Sequence, residues 1–281
     1  MSGPGRGRRR SPLLVAGIVV CGLFVAVAVL APWLSPYPPR AITGGAFEKP
    51  SAAHLLGTND AGADILSRVA WGSRDTLIVA VTATVIVLAI GIAVGLTAGL
   101  RGGILDMVLM RTVDVVLALP IWPLLIFVAA VVGPSRTVSI LMIGLFVWPE
   151  TARIVWSQTL TLRSRGFVAG ARGFGGGPLY VLRRHIIPSL GPLIASNLVY
   201  VAGLAVIIQA ALSFIGLSDP SAVSWGGELN RALTNPQIYV GSTWLWWLLP
   251  PGLALTVAIL GFTFIGVGLE PEFNPRWRRA R

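Results

Sequence analysis

An all-α integral membrane protein with six spanning helices is the fold class this sequence predicts, on three observations. Hydrophobic residues make up 54% of the 281 positions and charged residues only 12%. A soluble domain carries about 25% charged residues, so there is too little polar surface here to cover a globule in water. Second, apolar runs near the roughly 20 residues that a spanning helix needs recur along the whole chain. Third, the remaining charge falls mainly between those runs. The formal net charge is +11, with Lys49 the only lysine among the 22 basic residues. These charges form no aromatic-interleaved patch, so they read as topology signals and not as a nucleic-acid surface.

The first apolar run, residues 13–31, is free of charge and follows Arg6, Arg8, Arg9 and Arg10. Ala26-Val27-Ala28 imitates a signal-peptidase site. The stretch is longer than the usual h-region of about 7–15 residues, which favours an uncleaved anchor. Residues 32–74 are polar and rich in Pro and Gly, as expected of an extracytoplasmic segment. Within it, 62–71 could form a short interfacial helix with Ile65, Leu66 and Val69 on one face.

Residues 75–269 hold five further spans. They are expected at 76–100, at 105–132 with a break at Pro120 and Pro123, at 138–156, within 190–217 and within 243–269. Proline is tolerated in such helices because neighbouring helices satisfy the freed carbonyls. The spacing Gly91-x-x-x-Gly95-x-x-x-Gly99, and the pair Gly261 and Gly266, would let helices pack closely.

Orientation follows from the basic residues. With a cytoplasmic N-terminus, the inside segments hold sixteen of them and the outside segments six. This asymmetry predicts that both the basic segment 1–12 and the basic tail 270–281 are cytoplasmic.

Few residues suggest chemistry. Asp114 lies inside the third span, where an ionisable group is a functional candidate. Arg111 is three residues earlier on the same face, so a local charge pair is expected. Glu150 and Arg153 have the same spacing in the fourth span. Trp225, Trp244, Trp246 and Trp247 read as interfacial anchors, and Asp219 and Glu228 as solvated loop charges. Neither His54 nor His185 has a second ligand at metal spacing, so no metal is expected. Cys21 sits in an apolar run, without a partner thiol, as a small buried residue. No phosphate-binding Gly-x-x-x-x-Gly-Lys-Ser/Thr loop occurs and no nucleophile–base pair is apparent, so neither catalysis nor a bound cofactor is expected of this chain.

The segment 157–188, between the fourth and fifth spans, is too long and too structured for a mere connector. Small residues occupy 169–171, glycines occupy 175–177, and a second helical stretch ends at Pro188. Such a pattern makes a short helix, a sharp bend permitted by glycine, and a second helix. Docking into a groove on a partner would explain the small side chains. A basic helix held by anionic lipid would explain the arginines but not the bend.

Residues 168–188 resemble the EAA loop of ABC importer permeases. Ala169-Gly170-Ala171 stands where that family has Glu-Ala-Ala, and the steps of four residues to Gly175 and thirteen more to Pro188 are kept. Ala169 replaces the family's Glu and Gly170 its first Ala, so geometry and not charge must carry any docking here. His54-Leu-Leu-Gly-Thr-Asn-Asp60 with Asp64-Ile-Leu-Ser-Arg68 is similar to C-type permeases of dipeptide, oligopeptide and nickel importers. So are Met110-Arg-Thr-Val-Asp-Val-Val-Leu-Ala-Leu-Pro120, Ala211-Leu-Ser-Phe-Ile-Gly-Leu217 and Ser224-Trp-Gly226. Gly62-Ala63-Asp64 lacks the arginine that the family usually has at its centre.

The resemblance implies a type I importer fold and a B-type permease partner. It also implies two ABC ATPase domains that bind ATP and Mg, and an extracytoplasmic substrate-binding protein. ATPase coupling would run through Ala169, Gly170, Ala171, Arg172, Gly175 and Pro188, and the cargo would be peptides or, alternatively, nickel chelates or other small solutes. A secondary transporter would need midplane ionisable groups and internal repeats. A non-transporting scaffold would have no use for the Gly175 bend.

Overall fold

Backbone amides inside lipid must be satisfied within the chain, and long helices are the outcome here. The computed structural model describes residues 11–273; the arginines of the two terminal segments, at 6, 8, 9, 10, 276, 278, 279 and 281, lie outside the described residues. The helices are α1 (Pro12–Leu34), α2 (Ile65–Arg101), α3 (Gly103–Ala118), α4 (Ile121–Val132), α5 (Arg136–Arg163) and α6 (Gly166–Gly173). They continue with α7 (Pro178–Val181), α8 (Ile187–Phe214), α9 (Trp225–Thr234), α10 (Thr243–Trp247) and α11 (Leu249–Phe273). Five helical stretches are long and apolar enough to span alone, and α3 with α4 qualifies only as a pair bent by 82°. Six spans therefore require the bent pair to count as one.

The bend has a single cause. Leu119 is extended (ψ 135°) and Pro120 caps α4. Proline lacks an N–H and pushes the preceding residue out of the helical region. Pro123, expected to share in the break, lies in the first turn of α4, where its missing N–H has no intrahelical partner to lose.

Residues 65–71 do not form a separate interfacial helix. Asp64 caps α2 through a hydrogen bond from the Ser67 amide at 2.8 Å, and no breaker follows before Arg101. Those residues are thus the first two turns of a 37-residue helix. At about 1.5 Å per residue it outruns the bilayer core and projects into the loops beyond it.

The seam between α2 and α5 holds the bundle. The two helices run parallel, with Gly91 against Thr151, Gly95 against Ala152 and Val155, and Gly99 against Thr159. A Cβ added at Gly95 would lie 2.5 Å from the Ala152 carbonyl oxygen, so the backbones touch. At the end of this seam Arg163 Nη1 donates to the carbonyls of Gly99 and Leu100 at 3.1 and 3.2 Å, supplying charge where the α2 dipole is negative.

On the other side α1 packs antiparallel to α11, Gly17 facing Ile265 and Gly261 facing Val20 and Cys21. The expected partner Gly266 meets nothing within 4 Å; Gly268, packed on Leu14, takes its place. Seven residues close two helical turns, whereas five leave the second glycine on a different face. Cys21 is only partly buried.

Residues 35–64, α9, the 3₁₀ turn Pro236–Tyr239 and α10 form a cap over one end of the spans. Three expected anchors and one expected surface charge are instead part of its interior. Trp225 is buried, donates from Nε1 to the Val69 carbonyl at 2.8 Å and lies 5.5 Å from the Phe24 ring. Trp246 and Trp247 are buried with Ile65, Ala232 and Ile238, and only Trp244 of that cluster is exposed. Glu228, also buried, accepts from Arg68 Nε at 2.6 Å, while Arg68 Nη1 donates to the Pro39 carbonyl at 2.8 Å. His54 is buried with Nδ1 3.0 Å from Asp64 Oδ1, orienting the carboxylate that caps α2. Asp219 remains on the surface loop, where the hydroxyl and amide of Ser221 hold its carboxyl below the usual range.

Under the cap a polar knot joins three spans. Asp75 of α2 pairs with Arg136 of α5 at 2.7 Å, and Gln209 of α8 donates to Ser218 at 3.0 Å and lies 3.4 Å from Asp75.

Candidate functional site

At the end opposite the cap, α5 closes with Arg163 and the chain turns into α6. Val168, fully buried, inserts α6 into an apolar cluster with Val155, Leu162, Val181, Ile186 and Leu190. Val168, with the partly buried Ala171 beside it, holds the helix against the spans, and the opposite face is left uncovered. Ala169, Gly170 and Gly173 are exposed, and Phe174 is 96% exposed. The Arg172 backbone belongs to α6, and its side chain lies outside the described residues.

The helix stops by a Schellman motif. Gly175 has φ +85°, and the Gly176 amide donates back to the Ala171 carbonyl at 2.9 Å. The left-handed residue at this position favours glycine strongly. Gly176 is needed for a different reason, since a Cβ there would sit 2.6 Å from the Ala171 oxygen. An open concavity of about 650 Å³ lies between α6 and the next helix, lined by Phe167, Gly170, Phe174, Tyr180 and His185 among others.

The second stretch does not end at Pro188. From Pro178 the chain stays helical into α8, widening into a π turn at Leu182–Ile186 in which the Ile187 amide reaches the Leu182 carbonyl. The wider turn accommodates the N–H that Pro188 lacks, as π-bulges do. The structure thus brings the backbones of five of the six expected loop residues into one short helix and its closing turn, with Ala169, Gly170 and Gly175 exposed and Ala171 partly buried, while Pro188 lies in the first turn of the span that follows.

A second cluster lies on the outer face of α3, α5 and α8. Asp114 contacts Arg153 of α5 and is 3.7 Å from Arg111 of its own helix. The expected Glu150–Arg153 pair is absent because Arg153 is turned to Asp114. Glu150 instead has the Tyr200 hydroxyl at 3.5 Å, and Trp156 Nε1 donates to Asp106 at 2.7 Å. Glu150 and Tyr200 are both exposed, each near the middle of its helix. Beside Glu150, the bend between α3 and α4 opens a pocket of about 250 Å³, walled by Leu119, Trp122, Phe146, Leu204 and Ile208. Tyr200 and this pocket had no signal in the sequence, since an aromatic in an apolar run is indistinguishable from packing.

Comparison with known proteins gives the chain a family. Residues 91–279 match the family described as the binding-protein-dependent transport system inner membrane component. Residues 8–51 match the N-terminal transmembrane domain of oligopeptide transport permease C. A Brucella suis protein named as a peptide permease is 37% identical over 92% of this chain and 85% of its own length. A second Brucella suis protein, named as a peptide transport system permease, is 34% identical over 96% and 89%. A D,D-dipeptide transport system permease of Escherichia coli is 33% identical over 95% and 88%. With two thirds of its length inside the family match and relatives aligned nearly end to end, the chain belongs to the inner-membrane permease components of binding-protein-dependent ABC importers.

Proposed function

We propose that this chain is the permease subunit through which ATP hydrolysis on separate subunits drives peptide import. The observation that carries the reading is α6, a short helix fixed to the spans by Val168, stopped by Gly175, and bare on its outer face. A connector gains nothing from a rigid, uncovered helix of small residues. A lever seated in another protein's groove needs both properties.

Two ABC ATPase domains, which bind ATP and Mg, receive the turn of Ala169, Gly170, Ala171, Arg172 and Gly175. A second, B-type permease completes the path, and an extracytoplasmic binding protein meets the cap. The loop end and both termini face the cytoplasm, a placement supported by the excess of basic residues on that side. Arg163, bonded to the last carbonyls of α2, passes movement of α6 to the α2–α5 seam, and the spans alternate between inward-open and outward-open states. Peptide cargo is supported by the names of the relatives from Brucella suis and Escherichia coli.

Uptake of a labelled dipeptide into proteoliposomes holding the whole complex tests this, with binding protein outside and ATP inside. Accumulation that requires both ATP and the binding protein is expected. Uptake that persists without ATP would overturn it in favour of a secondary transporter.

A further inference from the structure

We propose that Glu150 is a station for the substrate's ammonium group within the membrane, and that the pocket beside it takes the adjoining apolar side chain. This assignment rests on the peptide-import reading.

Glu150 lies at the centre of the 28-residue α5, about 20 Å from either end. A carboxylate within a spanning helix is costly against lipid, so it faces water, a cation or a partner. Its side chain is exposed, and it forms no ion pair among the described residues. Arg153, the cation that spacing would assign to it, is held by Asp114. Among the described residues its one hydrogen-bond partner is the Tyr200 hydroxyl, at 3.5 Å, and that group can orient the carboxylate without neutralising it. The site therefore presents a carboxylate that no ion pair among the described residues occupies, one helical turn from the cluster of Arg111, Asp114 and Arg153.

Its surroundings define the rest of the ligand. The pocket next to Glu150 is walled by Leu119, Trp122, Phe146, Leu204 and Ile208. At about 250 Å³ it is smaller than the roughly 300–1,000 Å³ of pockets that enclose a whole small molecule. It suits a single large apolar side chain. A cation joined directly to an apolar group is the N-terminal residue of a peptide, with its α-ammonium on Glu150 and its side chain in the bend.

The test uses the whole complex with its binding protein in proteoliposomes, and the dipeptide Phe-Ala as probe. Glu150→Gln keeps the shape and removes the charge, and Leu204→Trp fills the pocket. Each variant is expected to lower ATP-dependent uptake of Phe-Ala about tenfold, the scale of one lost charged contact. The second permease and the ATPase subunits should copurify as in wild type. A dipeptide with an N-terminal benzoyl-phenylalanine should photolabel the segment 116–125 in wild type and not in Glu150→Gln. Unchanged uptake and labelling in Glu150→Gln would overturn the assignment and leave peptide import standing. Loss of the second permease from Glu150→Gln would also overturn it, making Glu150 half of an ion pair between subunits. Wild-type complex that moves no peptide would overturn the import reading, and the assignment with it.

Discussion

Replacing Gly170 with Trp is expected to abolish stimulation of ATP hydrolysis by peptide-loaded binding protein while leaving the complex assembled in the membrane. A Cβ added at Gly170 meets no atom within 4 Å and the position opens onto the concavity beside α6, so the indole can extend outward without displacing the helix. On a partner's surface the situation reverses. A large ring on the bare face of α6 is expected to hold the helix out of the proposed ATPase groove, since overfilling a close-packed site typically costs about 1–3 kcal/mol. The measurement is ATPase activity in lipid nanodiscs, with and without loaded binding protein, beside a thermal melt of the purified permease. An unchanged melt with lost stimulation is the expected pattern. Gly170→Ala should behave as wild type. Substitution at Gly175 is a poorer test, because φ +85° strains any side chain there and folding would suffer along with docking.

Gly95→Leu is expected to be the most damaging substitution in the membrane. Its Cβ would stand 2.5 Å from the Ala152 carbonyl oxygen and 2.8 Å from the Val155 Cβ. Backbone cannot rotate away as a flexible side chain can, so the α2–α5 seam must part. The cost should reach about 3 kcal/mol or more, the upper end for overpacked cores. A neighbour tests the reasoning: Gly22 of α1 meets nothing within 4 Å, so Gly22→Leu should be nearly silent. The amount of monodisperse protein extracted from membranes and its unfolding midpoint distinguish the two. Gly95→Ala places the same Cβ against the Ala152 carbonyl, so it should also part the seam, at a smaller cost because no atoms extend beyond the Cβ.

Features fixed by backbone chemistry were legible in the sequence. The Gly91, Gly95 and Gly99 stripe is a contact because small residues four apart share a face and no other residue allows that approach. Pro120 breaks its span because it has no N–H, and Gly175 bends the loop because it tolerates positive φ. Features fixed by the pairing of distant side chains were not legible. Glu228 looks like a loop charge until Arg68, 160 residues away in sequence, is seen to bury it. Arg153 looks like the partner of Glu150 until Asp114, 39 residues away, takes it. Local spacing names the nearest candidate, and the fold supplies a better one. The same holds for Trp225, Trp246 and Trp247. An indole near a predicted boundary reads as an anchor, yet the long N-terminal extension of α2 and the cap enclose all three. The bare face of α6 was legible only in part: spacing indicated small residues, whereas the role of Val168 in fixing the helix needed the cluster with Val155 and Ile186.

The most direct test of coupling through the loop end is site-specific crosslinking in the assembled complex. Cys21 is the only native cysteine, so a Cys21→Ala background carrying Gly170→Cys offers one thiol on α6. A short maleimide–diazirine crosslinker at that position should capture an ATPase subunit. The same reagent at Tyr239→Cys on the cap, where Tyr239 is exposed, should capture the loaded binding protein and never an ATPase. The reverse result, with the ATPase captured from the cap or the binding protein from α6, would contradict both the orientation and the coupling role assigned to this chain.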